Sequence, residues 1–145
     1  MKRLFYAISL LFGLSVLFSS CEKSENENKK DVESPVVGCW TEEGLSSYGE
    51  VDEYFEFTNT GYLKDYYADG SASFIDGVLS YPGTWILDYV SEYWIEDRLL
   101  YVAESREVVA YEFEMIGKDK LCLSWVNNKG KRETGTLVRI KKFTK

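Results

Sequence analysis

The chain has 145 residues, 17 basic and 24 acidic side chains, a formal net charge of −7 and no histidine. That length holds one domain with one core once a leader is set aside, and the acidic balance argues against nucleic acid, whose affinity rests on Lys and Arg neutralising phosphates. The missing histidine removes the commonest general base, the usual zinc ligand and any Ser-His-Asp or Cys-His arrangement.

Lys2 and Arg3 form a positive start, residues 4–18 are an apolar run too short to span a bilayer comfortably, and Ser19-Ser20 places small residues before Cys21. This pattern resembles the lipobox of Gram-negative bacterial lipoproteins, in which a peptidase cuts before a cysteine that carries lipid. The resemblance implies that 1–20 is a signal peptide, that Cys21 is acylated, and that the chain is membrane-anchored in the cell envelope. Outer-membrane attachment is expected, with the periplasmic face and the cell surface both open. The other reading is an ordinary secretory leader that leaves Cys21 a normal thiol. Removing 1–20 takes away two basic residues and no acid, so the mature chain is more acidic still, which suits solubility. Residues 21–34 are mostly Glu, Asn, Lys, Ser and Asp, too polar to order themselves. They read as a flexible acidic tether reaching at most ~3.5 Å per residue.

From 35 to 145 the pattern is strand after strand. Segments 36–41, 52–58, 62–67, 83–89, 99–103, 107–116, 120–126 and 134–142 read as strands, with further segments at 74–79 and 93–96. Alternation is clearest where Val109, Tyr111, Phe113 and Met115 share one face, and where Leu121, Leu123 and Trp125 share another. Asn59-Thr60-Gly61, Asp69-Gly70, Gly117-Lys118-Asp119 and Asn127 to Gly130 supply short turns, which favour pairing in sequence order. Eight to ten short strands in meander order give an all-β domain, with a small antiparallel up-and-down barrel preferred to a sandwich because closure removes exposed edges. Trp40 inward puts Cys39 outward, and Leu121 and Leu123 inward put Cys122 outward, on strands that need not be neighbours. Two free thiols are therefore expected.

Gly38-Cys39-Trp40 on the first strand resembles the Gly-x-Trp of lipocalins. The order continues as in lipocalin-like domains of bacterial lipoproteins, through the aromatic strand 54–61 ending in Asn59-Thr60-Gly61, through Gly83-Thr84-Trp85, to the closing hairpin at 120–140. The resemblance implies a barrel floor made by Gly38 and Trp40, with Arg139 packed on the indole. For Arg139, alternation alone leaves a plain exposed strand residue equally open.

Catalysis finds little support. Neighbouring acids such as Glu42-Glu43, Asp52-Glu53 and Glu96-Asp97 point to opposite faces of a strand, so a two-carboxylate glycosidase arrangement would need acids of different strands facing across a cleft, which the sequence leaves open. Asp65 and Asp69-Gly70 lack the alternating pattern of a calcium loop. No enzyme activity, cofactor or metal is expected. The remaining feature is aromatic content, 16 % of the chain with eleven Tyr. Phe55, Phe57, Trp85, Tyr111, Phe113 and Trp125 are candidates for the lining of a cavity that holds a small apolar or amphipathic ligand, against a packed interior, which is the commoner fate of any one such ring. Alternatively, Tyr48, Tyr66, Tyr67, Tyr81, Tyr93 and Trp94 near turns offer a surface for an envelope protein or glycan, because Tyr gives large contact area at low entropic cost.

Overall fold

Alternation and short turns produce eleven strands among the residues described by this computed structural model, 34–43 and 53–144. They are β1 (Gly38–Glu42), β2 (Glu53–Phe57), β3 (Tyr62–Ala68), β4 (Ser73–Ile75), β5 (Val78–Ser80), β6 (Trp85–Glu96), β7 (Leu99–Ala103), β8 (Val108–Ile116), β9 (Lys120–Val126), β10 (Arg132–Arg139) and β11 (Lys142–Thr144). The signal segment, Cys21, Tyr48 and all of the tether except Ser34 lie outside the described residues.

Eight strands close an antiparallel barrel in the order β1-β10-β9-β8-β7-β6-β3-β2. This is the small up-and-down barrel that the strand spacing implies. The meander is interrupted once, between β3 and β6, where β4 and β5 leave the wall. With β11 they form a separate three-stranded sheet in the order β11-β5-β4.

Three expected boundaries differ. Segment 74–79 is a hairpin rather than one strand, because Asp76 and Gly77 both take positive φ, 52° and 83°. Segments 83–89 and 93–96 are parts of the single strand β6. Ser91 and Glu92 break the apolar pattern between them but pair regularly with Leu63 and Tyr62, so the strand runs through both, and a register shift opposite Asp65/Tyr66 lies earlier in β6. Segment 134–142 splits into β10 and β11 at Ile140, whose N–H donates to Cys39 O at 2.8 Å before the chain turns to pair in parallel with β5.

The inner faces bury one cluster: Val36, Trp40, Phe55, Phe57, Leu63, Tyr93, Leu100, Val102, Tyr111, Leu121, Leu123 and Leu137. A second cluster lies on the outside of the wall. There Ala72, Phe74, Leu79, Tyr81 and Ile140 pack against Cys39, Tyr54, Ala68, Trp85 and Val138. The small sheet therefore covers the outward side chains of β1, β2 and β10, including the seam where first and last barrel strands meet.

That seam is held from inside by Arg139, which faces Trp40 across the β1–β10 ladder. The guanidinium carbon lies 4.1 Å from the indole centroid, a contact worth ~0.5–2 kcal/mol. Nε donates to Lys118 O at 2.8 Å, Nη1 to Val37 O at 2.8 Å and Nη2 to Pro35 O at 2.9 Å. Trp40 itself is fully buried and donates Nε1–H to Val36 O at 2.8 Å. Gly38 has φ 137°, and a Cβ there would run into Arg139 Nη1. The glycine is the space that the guanidinium occupies.

G38A should therefore lower stability by ~1–3 kcal/mol through strain and displacement of the guanidinium. R139K should cost a similar ~1–3 kcal/mol, since an ammonium cannot reach three carbonyls and stack at once. The double variant should cost less than the sum, because both act on one contact. Urea denaturation midpoints check this, and a midpoint for G38A equal to that of the parent would overturn it.

Candidate functional site

The six aromatic cavity candidates do not share one lining. Trp85 is outside the barrel, in contact with Tyr54 at 4.8 Å and Tyr81 at 4.7 Å between ring centroids. Its place on the outer face follows from its pairing with Ala68 beyond the register shift, which sequence alternation could not reveal. Phe55, Phe57 and Tyr111 are only 2–3 % exposed and belong to a packed middle layer. Phe113 and Trp125 are inward and half-buried. Phe113 lies toward the end that carries the 117–119 turn and Arg139, Trp125 toward the opposite end with its 127–131 turn. The middle of the barrel is thus filled, in keeping with the packed-interior alternative.

Among the surface candidates, Tyr81 and Tyr93 are 4 % and 3 % exposed, so they are core residues. Tyr93 packs edge-on against Phe57 at 5.0 Å and donates its OH to Thr58 O at 2.6 Å. Tyr66 stacks on Tyr54 at 4.6 Å on the outer wall. Tyr67 and Trp94 are exposed.

The end away from Arg139 has a different character. Alternation from the buried positions sends Val109, Trp125, Glu53, Asp65, Glu104, Glu107 and Glu133 to the inner face there, joined by exposed Tyr67 and Tyr89. Trp125 meets Tyr111 edge-on at 5.8 Å. Three buried polar atoms have no hydrogen-bond partner among the described residues: Asp65 Oδ1, Glu104 Oε1 and Tyr111 OH. Such groups are uncommon in folded proteins, and all three belong to inward-facing side chains near this end.

Their electrostatics follow from placement. Burial pushes the Asp65 carboxyl up to about 8, helped by the charge of Glu53, a hydrogen bond to Glu53 and the charge of Asp88. Burial also raises Glu104 to about 7, with a further push from Glu107. The Tyr111 phenol is raised by burial and by both Glu104 and Glu107. Asp65 stands out in the sequence only as part of a loop without a calcium pattern, and Glu104 and Glu107 not at all, because acids on different strands meet at one end only once the barrel has closed.

Elsewhere the chemistry is quiet. Cys39 and Cys122 are free. They sit on β1 and β9, with β10 between them. Burial holds the Cys39 thiol near 11, which keeps it protonated and unreactive. Asp69 accepts from the Tyr81 hydroxyl and, at 3.0 Å, from the Thr84 N–H, so its turn is locked internally. Among the described residues no group of three His, Cys, Asp or Glu is placed to hold a metal ion. No helix of the described residues is long and apolar enough to cross a membrane. No protein-family model matches the chain, and no curated protein matches it significantly.

The raised carboxyls fix a sign for the pH dependence of stability. Below about pH 4 folded and unfolded chains both hold the Asp65 proton. Between there and about 8 the unfolded chain has released it and the folded chain has not. Stability from this group therefore falls as pH rises through that window, and Glu104 acts in the same direction. Asp65→Asn should raise the melting temperature at pH 8 and do so much less at pH 5. A larger gain at pH 5 would overturn the assignment.

Proposed function

We propose that this chain is a lipid-anchored envelope lipoprotein whose lipocalin-like barrel binds, rather than transforms, a small amphipathic ligand. The anchor rests on the Lys2–Arg3 start, the apolar run and Ser19-Ser20-Cys21. The lipocalin likeness rests on Gly38-Cys39-Trp40, on meander closure of eight strands and on Arg139 over the Trp40 ring. The observation that carries ligand binding is the change of character along the barrel interior. The middle is packed apolar side chains, whereas the end away from Arg139 keeps half-buried Trp125 and Val109 beside buried polar atoms that have no hydrogen-bond partner among the described residues. An apolar wall with a few convergent polar groups is the usual make-up of a small-molecule site.

One observation favours a second reading, a non-catalytic interaction module of an envelope complex. The outer face of β6 exposes Leu87, Val90 and Trp94 at 48 %, 44 % and 38 %, and Trp94 stacks on Tyr101 at 5.3 Å. Exposed apolar side chains gathered on one strand face, here interrupted by Glu92, are a feature of protein-binding surfaces.

Cys21→Ser should release the protein from the membrane fraction in a folded form, and retention equal to the parent on fractionation would remove the anchor. For binding, Trp125→Leu should abolish the ligand-dependent rise in melting temperature, because a ligand that prefers the native state stabilises it by mass action. Trp94→Leu should leave that rise intact. Thermal scans of both folded variants against small amphiphiles decide the matter. Capture of an envelope partner that is lost in Trp94→Leu, without any ligand-dependent rise, would favour the interaction module instead.

A further inference from the structure

We propose that the end of the barrel away from Arg139 selects a ligand whose polar head is a primary ammonium group, held by Glu104 and the Tyr111 hydroxyl with its apolar body against Trp125. The inference rests on the ligand-binding reading above and names the chemical class of that ligand.

Tyr111 is 2 % exposed and its hydroxyl has no hydrogen-bond partner among the described residues. A buried hydroxyl left unmatched costs ~1–3 kcal/mol, so a site that keeps one is poised for a partner that arrives from outside. The register shows where the hydroxyl sits. Tyr111 faces Leu100 across the β7–β8 ladder, both inward, and the inner rows run Leu100, Val102 on β7 and Tyr111, Val109 on β8. Glu104 and Glu107 continue these rows just past the strand ends, where the Glu104 N–H donates to Glu107 O at 2.8 Å. Both carboxylates act electrostatically on the phenol. Glu104 Oε1 is likewise buried and without a hydrogen-bond partner among the described residues, and it is not bonded to the Tyr111 hydroxyl. Two orphaned oxygens at the end of one hairpin therefore await a group that lies between them.

The charge pattern selects that group. Glu104 and Glu107 form no ion pair among the described residues. An anionic head would meet two like charges. A neutral alcohol could bridge the two oxygens but would leave the carboxylate uncompensated. A primary ammonium has three donors and no acceptor, so it can donate to a carboxylate and a phenol oxygen together. A quaternary ammonium lacks those donors. The indole of Trp125, edge-on to Tyr111 at 5.8 Å, supplies an apolar and cation-favouring wall. A metal ion is disfavoured by the absence of a three-ligand group among the described residues.

The test is isothermal titration at about pH 8.5, where Glu104 is ionised and a primary amine is still protonated, and at fixed ionic strength with four probes of one chain length: octylamine, octyltrimethylammonium, 1-octanol and octanoate. Octylamine should bind about tenfold or more tightly than 1-octanol, as expected for a hydrogen bond to a charged group. Octyltrimethylammonium should bind more weakly than octylamine, and octanoate most weakly. Glu104→Gln should bring octylamine down to the level of 1-octanol while leaving 1-octanol unchanged. Tyr111→Phe should raise the melting temperature of the free protein, since it removes an orphaned hydroxyl, yet weaken octylamine. A purely structural tyrosine would not show that opposition. Equal binding of all four probes, or octylamine binding unaffected by Glu104→Gln, would overturn ammonium selection and leave the ligand-binding reading standing. No binding of any probe would overturn that reading and this one together.

Discussion

The rest of the structure depends on the meeting of Arg139 with Trp40. β1 is five residues long and must pair on both sides, with β2 and with β10, for the wall to close. Arg139 secures that short strand by binding the segment that leads into it, through Pro35 O and Val37 O, while Lys118 O ties in the turn between β8 and β9. A planar fork with five donors suits this task, because three carbonyls at a barrel end would otherwise turn to water. The stacked indole then caps the interior from below. Every inward side chain of the barrel owes its surroundings to that closure.

The small outer sheet solves a different problem. Cys39, Tyr54 and Val138 point outward from adjacent barrel strands and would form an apolar strip in water. Leu79 and Tyr81, at 0 % and 4 % exposure, and the rest of the second cluster cover them. The barrel wall is thus buried on both faces along its seam and on one face elsewhere. That difference explains why outward positions near β1 carry apolar residues, whereas those of β8 carry Glu112 and Glu114.

Much of the architecture was readable from the chain itself. Strict alternation at 109–115 and 121–125, and turns such as Gly117-Lys118-Asp119, specify antiparallel hairpins, since a shift of one residue would expose the whole apolar row. What alternation could not supply was the fate of segments whose partner is remote. The hairpin around Gly77 and the strand at 142–144 pair with each other rather than with chain neighbours, and the register shift opposite Asp65/Tyr66 moved Trp85 to the outer face. The candidate site was harder still. Tyr111 and Trp125 were visible as inward aromatics, but Glu104, Glu107 and Asp65 gain their significance only from sitting on different strands at the same end.

The closing pairs also set when the fold can form. Trp40 and Arg139 are separated by almost the whole domain, and the parallel pairing of β11 with β5 draws the final residues back across the seam. Contacts this remote in sequence impose a large loop-closure entropy before they return any energy, which slows folding relative to local hairpins. The hairpins of β6 to β9 can assemble early, yet neither barrel nor outer sheet is complete until the last strands are present. Neither the barrel seam nor the outer sheet can therefore close until β10 and β11, the last strands of the chain, have been made.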